Sequence, residues 1–358
     1  MAPASARSGP QSPDGDGHLL HANSARPLEG RHDRQAGSSL PGLSDGWSGG
    51  GGMSYRSSRT PKSCFVDSAE LKEYFSKRVS LSSADLVAMA QLFAQLYREF
   101  QTDIVHRVCC TDAIDRPYIW VDPLEGRSSH VILFFHGGGY TMGSSKDHMQ
   151  LIASLVERSG KTFLAVDYRL FPAVTFPAPL DDAEAAYRWL LEQGLPASRI
   201  GLAGISAGAA LVTQLVHRCA KKSLGCPALA MVMSGLNDFR FDRPSMAFNS
   251  CLDLVSLNRL ESIVEFYFPD QSSFESDDVL CINQNYNQYP TTLFQVGDQE
   301  ILLSDAIEMH QSLRSQGHDV HLNVVPQMIH CGQMFARDYP PGQSAIEQAA
   351  GFIKSALQ

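Results

Sequence analysis

From residue 131 to the end of the chain, short, mostly apolar runs, unbroken at 131–135, alternate with longer stretches where apolar residues recur every three or four positions. An unbroken run fits a strand buried on both faces of a parallel sheet, and the longer rhythm fits an amphipathic helix. The runs predict strands at 131–135, 162–166, 200–203, 229–233, 292–296 and 320–325. The rhythm predicts helices over 147–158, 181–193, 207–219, 305–316 and 344–357. Repeated strand–helix units of this kind imply an α/β architecture, a doubly wound, mostly parallel sheet covered by helices.

Two regions depart from the alternation. The interval of about 237–287 breaks it and reads as an insertion over the sheet edge. Upstream, Leu86, Met89, Ala90, Phe93, Leu96, Tyr97 and Phe100 recur at helical spacing behind Ser83, a suitable N-cap. Residues 1–52 are rich in Gly, Ser, Pro and Arg, too poor in apolar surface to offset chain entropy, and are expected to be disordered. Met53 follows directly as an alternative start. The expected organisation is a tail over 1–52, N-terminal cap helices over 53–103 and a main domain over 104–358 that carries the insertion.

The formal charge of −9 argues against nucleic acid and against an anionic membrane surface as partner. A hydrophobic fraction of 44% with 19% charged residues supports a sizeable core. The 8 cysteines are scattered with no Cys-x-x-Cys pair, so no zinc or redox motif is signalled. They read as buried thiols of a reducing compartment. Residues 1–17 hold no apolar signal core, and no stretch approaches the ~20 apolar residues of a membrane span. The expected location is cytoplasmic, with no stable membrane insertion. The number of subunits is left open, a dimer included.

The 200–203 run leads into Gly204-Ile205-Ser206-Ala207-Gly208 and then into a helical pattern. That is the strand–turn–helix setting of a Gly-x-Ser-x-Gly nucleophile elbow. Alone, the pentapeptide is only a common turn; the strand and helix around it give it chemical meaning. The turn holds the Ser206 hydroxyl at the carboxyl edge of the sheet. The Ala207 amide, at a helix N-terminus, can then donate to a developing oxyanion. His136-Gly137-Gly138-Gly139-Tyr140 directly follows the 131–135 run, and its glycines let backbone amides turn toward one point. A Walker-type phosphate loop would end in Gly-Lys-Ser/Thr, which is missing. His136 reads as a brace for this loop rather than as a base.

With these motifs the chain resembles the hormone-sensitive-lipase-like branch of the α/β-hydrolases. Asp167-Tyr168-Arg169-Leu170, Phe176-Pro177 and Leu180-Asp181-Asp182-Ala183 are similar to that family's segment between oxyanion loop and elbow. Ile205 departs from it, standing where the family often has Asp. The resemblance implies an α/β-hydrolase fold with a helical cap, and Gly138, Gly139 and Ala207 as oxyanion donors. It also implies the order nucleophile, acid, base along the chain. Of the histidines after Ser206, His310 falls in a helical pattern, His318 follows Gly317 and His321 alternates within a strand. His330 lies in a loop beyond the last strand, where the family places its base. The acid should follow the 292–296 strand, where Asp298 and Glu300 compete. Glu300-Ile301-Leu302 matches the family's acid-x-Leu pattern, so Glu300 is the expected acid, with Asp298 as the alternative. Asp305 is expected to cap the helix it opens.

The implied activity is hydrolysis of small to medium uncharged carboxylic esters through an acyl-enzyme on Ser206, with no metal or organic cofactor. Two rivals follow from the same residues. One is an amidase such as an arylformamidase-like enzyme, and the other a non-catalytic ligand-binding receptor. Such a receptor lacks the base, and His330 speaks against it. Lipase action on emulsified fat is a weaker fit, since one modest amphipathic helix is all the chain offers an interface.

Overall fold

The computed structural model describes residues 65–77, 95, 107–111 and 117–358. The expected tail and the helical pattern of Leu86–Phe100 lie outside them, residue 95 excepted. The chain enters through helix α1 (Ser68–Ser76), capped by Asp67, whose carboxylate accepts the Glu70 amide. Strands β1 (Arg107–Thr111), β2 (Tyr118–Asp122) and β3 (Val131–Phe135) follow. Then helices and strands alternate: α2 (Met149–Ser159), β4 (Thr162–Val166), α3 (Ala178–Glu192), β5 (Ile200–Ile205), α4 (Ala207–Lys221) and β6 (Leu229–Met233). After β6 come three short helices, α5 (Pro244–Phe248), α6 (Leu257–Tyr267) and α7 (Gln271–Phe274). The last elements are β7 (Thr291–Gly297), α8 (Leu303–Ser315), β8 (Val320–Val325) and α9 (Pro340–Ala356).

The strands form an 8-stranded sheet in the order β1-β2-β4-β3-β5-β6-β7-β8. β2 runs antiparallel to β1 and β4, while the remaining pairs are parallel. The chain steps from β3 outward to β4 and then back past β3 to β5. Strand order therefore reverses between β3 and β5, and a crevice opens at their carboxyl ends. The loops after Phe135 and Ile205 face each other there, with Phe135 registered against Gly204.

Alternation along β3 divides the core. Val131, Leu133 and Phe135 pack with Leu180, Leu190, Leu211 and Leu215 of α3 and α4 on one face. Ile132 and Phe134 pack with Leu151, Leu155, Ile346 and Ile353 of α2 and α9 on the other. Burial on both faces explains why these strands read as unbroken apolar runs.

Two expectations need correcting. Asp305 does not cap α8: the N-cap is Leu302, without a side-chain cap bond. Asp305 lies in the first turn, fully buried, and its Oδ2 accepts the backbone N–H groups of Asn237 and Asp238. It ties the start of the segment between β6 and β7 to α8. The last helix begins at Pro340 rather than Ser344, because proline at the first helical position costs no hydrogen bond.

Candidate active site

At the sheet's carboxyl edge, β5 turns sharply into α4 at Ser206, whose φ of 55° and ψ of −123° lie in a region that side-chain-bearing residues rarely adopt. The strain is held because the flanking backbones touch. A Cβ on Gly204 would stand 2.2 Å from the Gly208 carbonyl oxygen, and one on Gly208 would stand 2.1 Å from that of Phe135. Glycine at both positions is what lets β5, α4 and the end of β3 come together.

The loop beyond β8 brings His330 to this turn. Its Nε2 lies 2.9 Å from Ser206 Oγ, and its Nδ1 lies 3.2 Å from Glu300 Oε2. Glu300 is fully buried, and its second oxygen accepts the Gly297 amide at 2.6 Å and the Ser234 hydroxyl at 2.8 Å. With the carboxylate committed as acceptor, Nδ1 of a neutral His330 carries the proton and Nε2 is left to accept from Ser206. Burial opposes charge on this imidazole. The neighbouring Cys331 thiol and the Glu300 carboxylate outweigh it and hold the pKa well above the usual histidine value. Asp298 is exposed on the same loop, engaged through its backbone with Val325 and Asn249. The structure thus brings Glu300, not Asp298, to the histidine. His310 on α8, His318 after it and His321 on β8 do not line this crevice.

Gly137, Gly138 and Gly139 line the opposite wall, with Gly138 at φ 124° and Gly139 at φ 60°. A Cβ on Gly138 would overlap the Met142 carbonyl oxygen at 2.0 Å. Among the described residues, the Gly138 and Gly139 amides donate to no backbone carbonyl. Ala207 opens α4, where an amide has no acceptor within its helix. His136 is buried behind the loop. Its Nδ1 lies 2.8 Å from the Gly137 carbonyl oxygen, its ring stacks on Tyr168 at 4.2 Å, and its own carbonyl accepts the Tyr168 hydroxyl.

Several residues at the site went unnoticed in the sequence. His148 Nε2 accepts the Gly137 amide at 3.1 Å, which leaves Nδ1 to donate to the Ser144 carbonyl at 2.9 Å. Burial, reinforced by His136, pushes its pKa down to about 3, so this ring stays neutral and its tautomer fixed. Asp253 and Asn249, from the segment between β6 and β7, bond to the loop of Glu300, and Asp253 also to that of His330. No local pattern announces any of them.

A cavity of about 170 Å³ opens onto Ser206 and His330. Its walls are mostly apolar: Leu260 and Ile263 of α6, Leu236, Met142, and Phe75 of α1, whose ring meets Phe335 at 5.0 Å. Among the described residues, no group of three or more His, Cys, Asp or Glu is placed to hold a metal ion. Nor is any described helix long and apolar enough to cross a membrane.

A family model described as alpha/beta hydrolase fold matches residues 132–334. The chain is 32% identical to an acetyl-hydrolase of Streptomyces hygroscopicus, over 66% of this chain and 79% of that one. It is 31% identical to an ethyl acetate hydrolase of Pseudomonas putida, over 61% of this chain and 68% of that one. Among solved structures, an esterase from the bacterial hormone-sensitive lipase family superposes with a TM-score of 0.77 at 28% identity, covering 81% of this chain and 98% of the other.

Proposed function

The chain belongs to the alpha/beta hydrolase fold family, in its hormone-sensitive-lipase-like branch, and we propose that Ser206, His330 and Glu300 are its catalytic residues. The protein is a carboxylic ester hydrolase of the serine type. One observation carries the site assignment: the unbroken relay from Ser206 Oγ through His330 to the buried Glu300 carboxylate.

In the first step Ser206 Oγ attacks the ester carbonyl carbon while His330 Nε2 takes the hydroxyl proton. The carbonyl oxygen gains charge and is met by the amides of Gly138, Gly139 and Ala207. The tetrahedral centre then collapses, and the bond to the alkoxy oxygen breaks. His330 returns its proton to that oxygen, and the alcohol leaves an acyl-Ser206. Water repeats the sequence in reverse, losing a proton to His330, and the carboxylic acid departs with Ser206 restored. Glu300 holds the tautomer and stabilises the imidazolium that forms in each half.

The small apolar cavity supports short uncharged acyl groups, acetyl to hexanoyl, on small alcohols. The relatives named for acetyl and ethyl acetate hydrolysis point the same way. The thiols of Cys219, Cys226, Cys251, Cys281 and Cys331 are free, which supports a reducing, cytoplasmic setting. The test is turnover of p-nitrophenyl esters from acetyl to palmitoyl by the full chain and by Ser206→Ala. The variant should lose roughly six orders of magnitude in turnover while remaining folded. Near-normal hydrolysis by Ser206→Ala would defeat the assignment, and preference for palmitoyl would defeat the substrate class.

A further inference from the structure

We infer that Asp253, carried by the inserted segment, is a positioning residue that locks the base loop and the acid loop into one rigid unit. The inference rests on the esterase reading above. Asp253 is only 3% exposed, although it belongs to a segment that the sequence presents as a cover over the site. Its Oδ1 accepts the backbone N–H of His330 at 2.8 Å and that of Leu254 at 2.7 Å. Its Oδ2 accepts the N–H of Ile301, the residue after Glu300, at 2.8 Å. One carboxylate thus grips the backbone of the base and the backbone next to the acid.

The rest of the segment reinforces the grip. Asn249 Nδ2 donates to the carbonyls of Asp298 and Glu300 at 3.0 and 2.8 Å. Ser245 Oγ donates to the Ile301 carbonyl at 2.6 Å and accepts the Ser304 amide at 2.9 Å. This first half of the insertion is a scaffold for the acid loop, whereas α6 covers the cavity.

The residue type matters. A carboxylate accepts on both oxygens, as two diverging N–H groups require, whereas an amide side chain accepts on one side only. Asp253→Asn would turn an NH₂ group toward either His330 N–H or Ile301 N–H. The resulting shift is small, but misplacing a reacting group by about 1 Å costs on the order of a hundredfold in rate. Charge matters as well. The titratable groups facing Asp253 are His330, Glu300 and Cys331, and Lys72 of α1 bonds to the carbonyl of Cys251 two residues before it. Burial and the neighbouring Glu300 carboxylate raise the Asp253 pKa, His330 opposes them, and the value is about 6. Above that pH a second negative charge stands beside the imidazole.

The experiment compares the full chain with Asp253→Asn on p-nitrophenyl acetate across pH, with Ser206→Ala as reference. In the folded variant kcat should fall roughly 30- to 100-fold with KM within about twofold. Loss of a negative charge lowers the His330 pKa, so the acid limb of kcat/KM should move to lower pH by about half a unit or more. A merely structural contact would leave that limb in place. An unmoved limb, or kcat close to that of the parent, overturns the inference while an inactive Ser206→Ala keeps the esterase reading standing. An active Ser206→Ala brings down both. Should Asp253→Asn fail to fold, amide hydrogen exchange on the unaltered protein decides the matter. His330 and Ile301 should exchange as one protected pair, and rapid exchange at either would overturn the inference.

Discussion

Replacing Glu300 by Gln keeps the shape of the side chain and changes one thing, its ability to accept on both sides. In the native site Oε1 accepts from Gly297 N–H and Ser234 O–H, while Oε2 accepts from His330. The Gln oxygen will stay with the two fixed donors, because turning the NH₂ group toward them would leave buried donors unpaired at about 1–3 kcal/mol each. The NH₂ group then faces His330 Nδ1 and selects the tautomer with its proton on Nε2. That proton points at Ser206 Oγ, 2.9 Å away, and the imidazole can no longer take the hydroxyl hydrogen. Wrong-tautomer variants of other triads lose about four orders of magnitude in turnover, or roughly 5.5 kcal/mol in the barrier. Asp298→Asn provides the contrast, since that side chain is exposed and its loop is held through backbone bonds. Initial rates on p-nitrophenyl acetate near pH 8 should show Glu300→Gln falling about 10⁴-fold and Asp298→Asn staying within about twofold. Glu300→Gln retaining a tenth of parental turnover, or a collapse in Asp298→Asn, would refute the reasoning.

Further expectations come from burial and charge. The Asp305 carboxyl is pushed up to about 8, chiefly by burial, so between about pH 4 and that value the native chain holds a proton the unfolded chain has lost. Stability should therefore fall as pH rises through that window. Asp305→Asn removes the slope, and its Tm relative to the parent should be higher near pH 8.5 than near pH 5; an equal difference at both would count against it. Catalysis needs neutral His330, whose pKa is raised, so kcat/KM should rise with pH along a limb centred above the ordinary histidine value of about 6.5. A limb below that value would contradict the charge assignment. Phe75→Ala should widen the cavity, moving the acyl optimum toward longer chains at a stability cost of about 3 kcal/mol. An unchanged chain-length profile would show that Phe75 does not bound the acyl site.

Much of the frame was legible in the sequence because burial leaves a plain trace there. Strands covered on both faces become unbroken apolar runs, and 131–135 and 229–233 coincide with β3 and β6 to the residue. The elbow and the oxyanion loop were legible because backbones that touch demand glycine at fixed spacing. Glu300 could be preferred to Asp298 by its place before Ile301-Leu302, and the structure brings it to His330. What stayed hidden acts across the chain. Asp253 meets His330 from 77 positions away, and Ser234 meets Glu300 from 66. No short pattern encodes such bonds. Asp305 misled because an acid near a helix start usually caps it, whereas here the carboxylate serves the loop that follows β6. His148 was masked by the helix it adjoins, its imidazole being turned back toward Gly137.

The contact between α1 and the loops after β7 and β8 sets a schedule for synthesis. Ser68 donates to Gln299 across 231 positions, Phe65 N–H bonds to the Asp338 carbonyl, and Phe75 waits for Phe335. A ribosome adding ~5–20 residues per second makes α1 roughly ten to fifty seconds before its partners exist. During that interval Phe65 and Phe75 lack the Asp338 and Phe335 contacts that hold them in the folded chain, so the nascent chain offers apolar side chains to chaperones and to its neighbours on the same message. The proposed site is also incomplete until His330 emerges, 124 positions after Ser206.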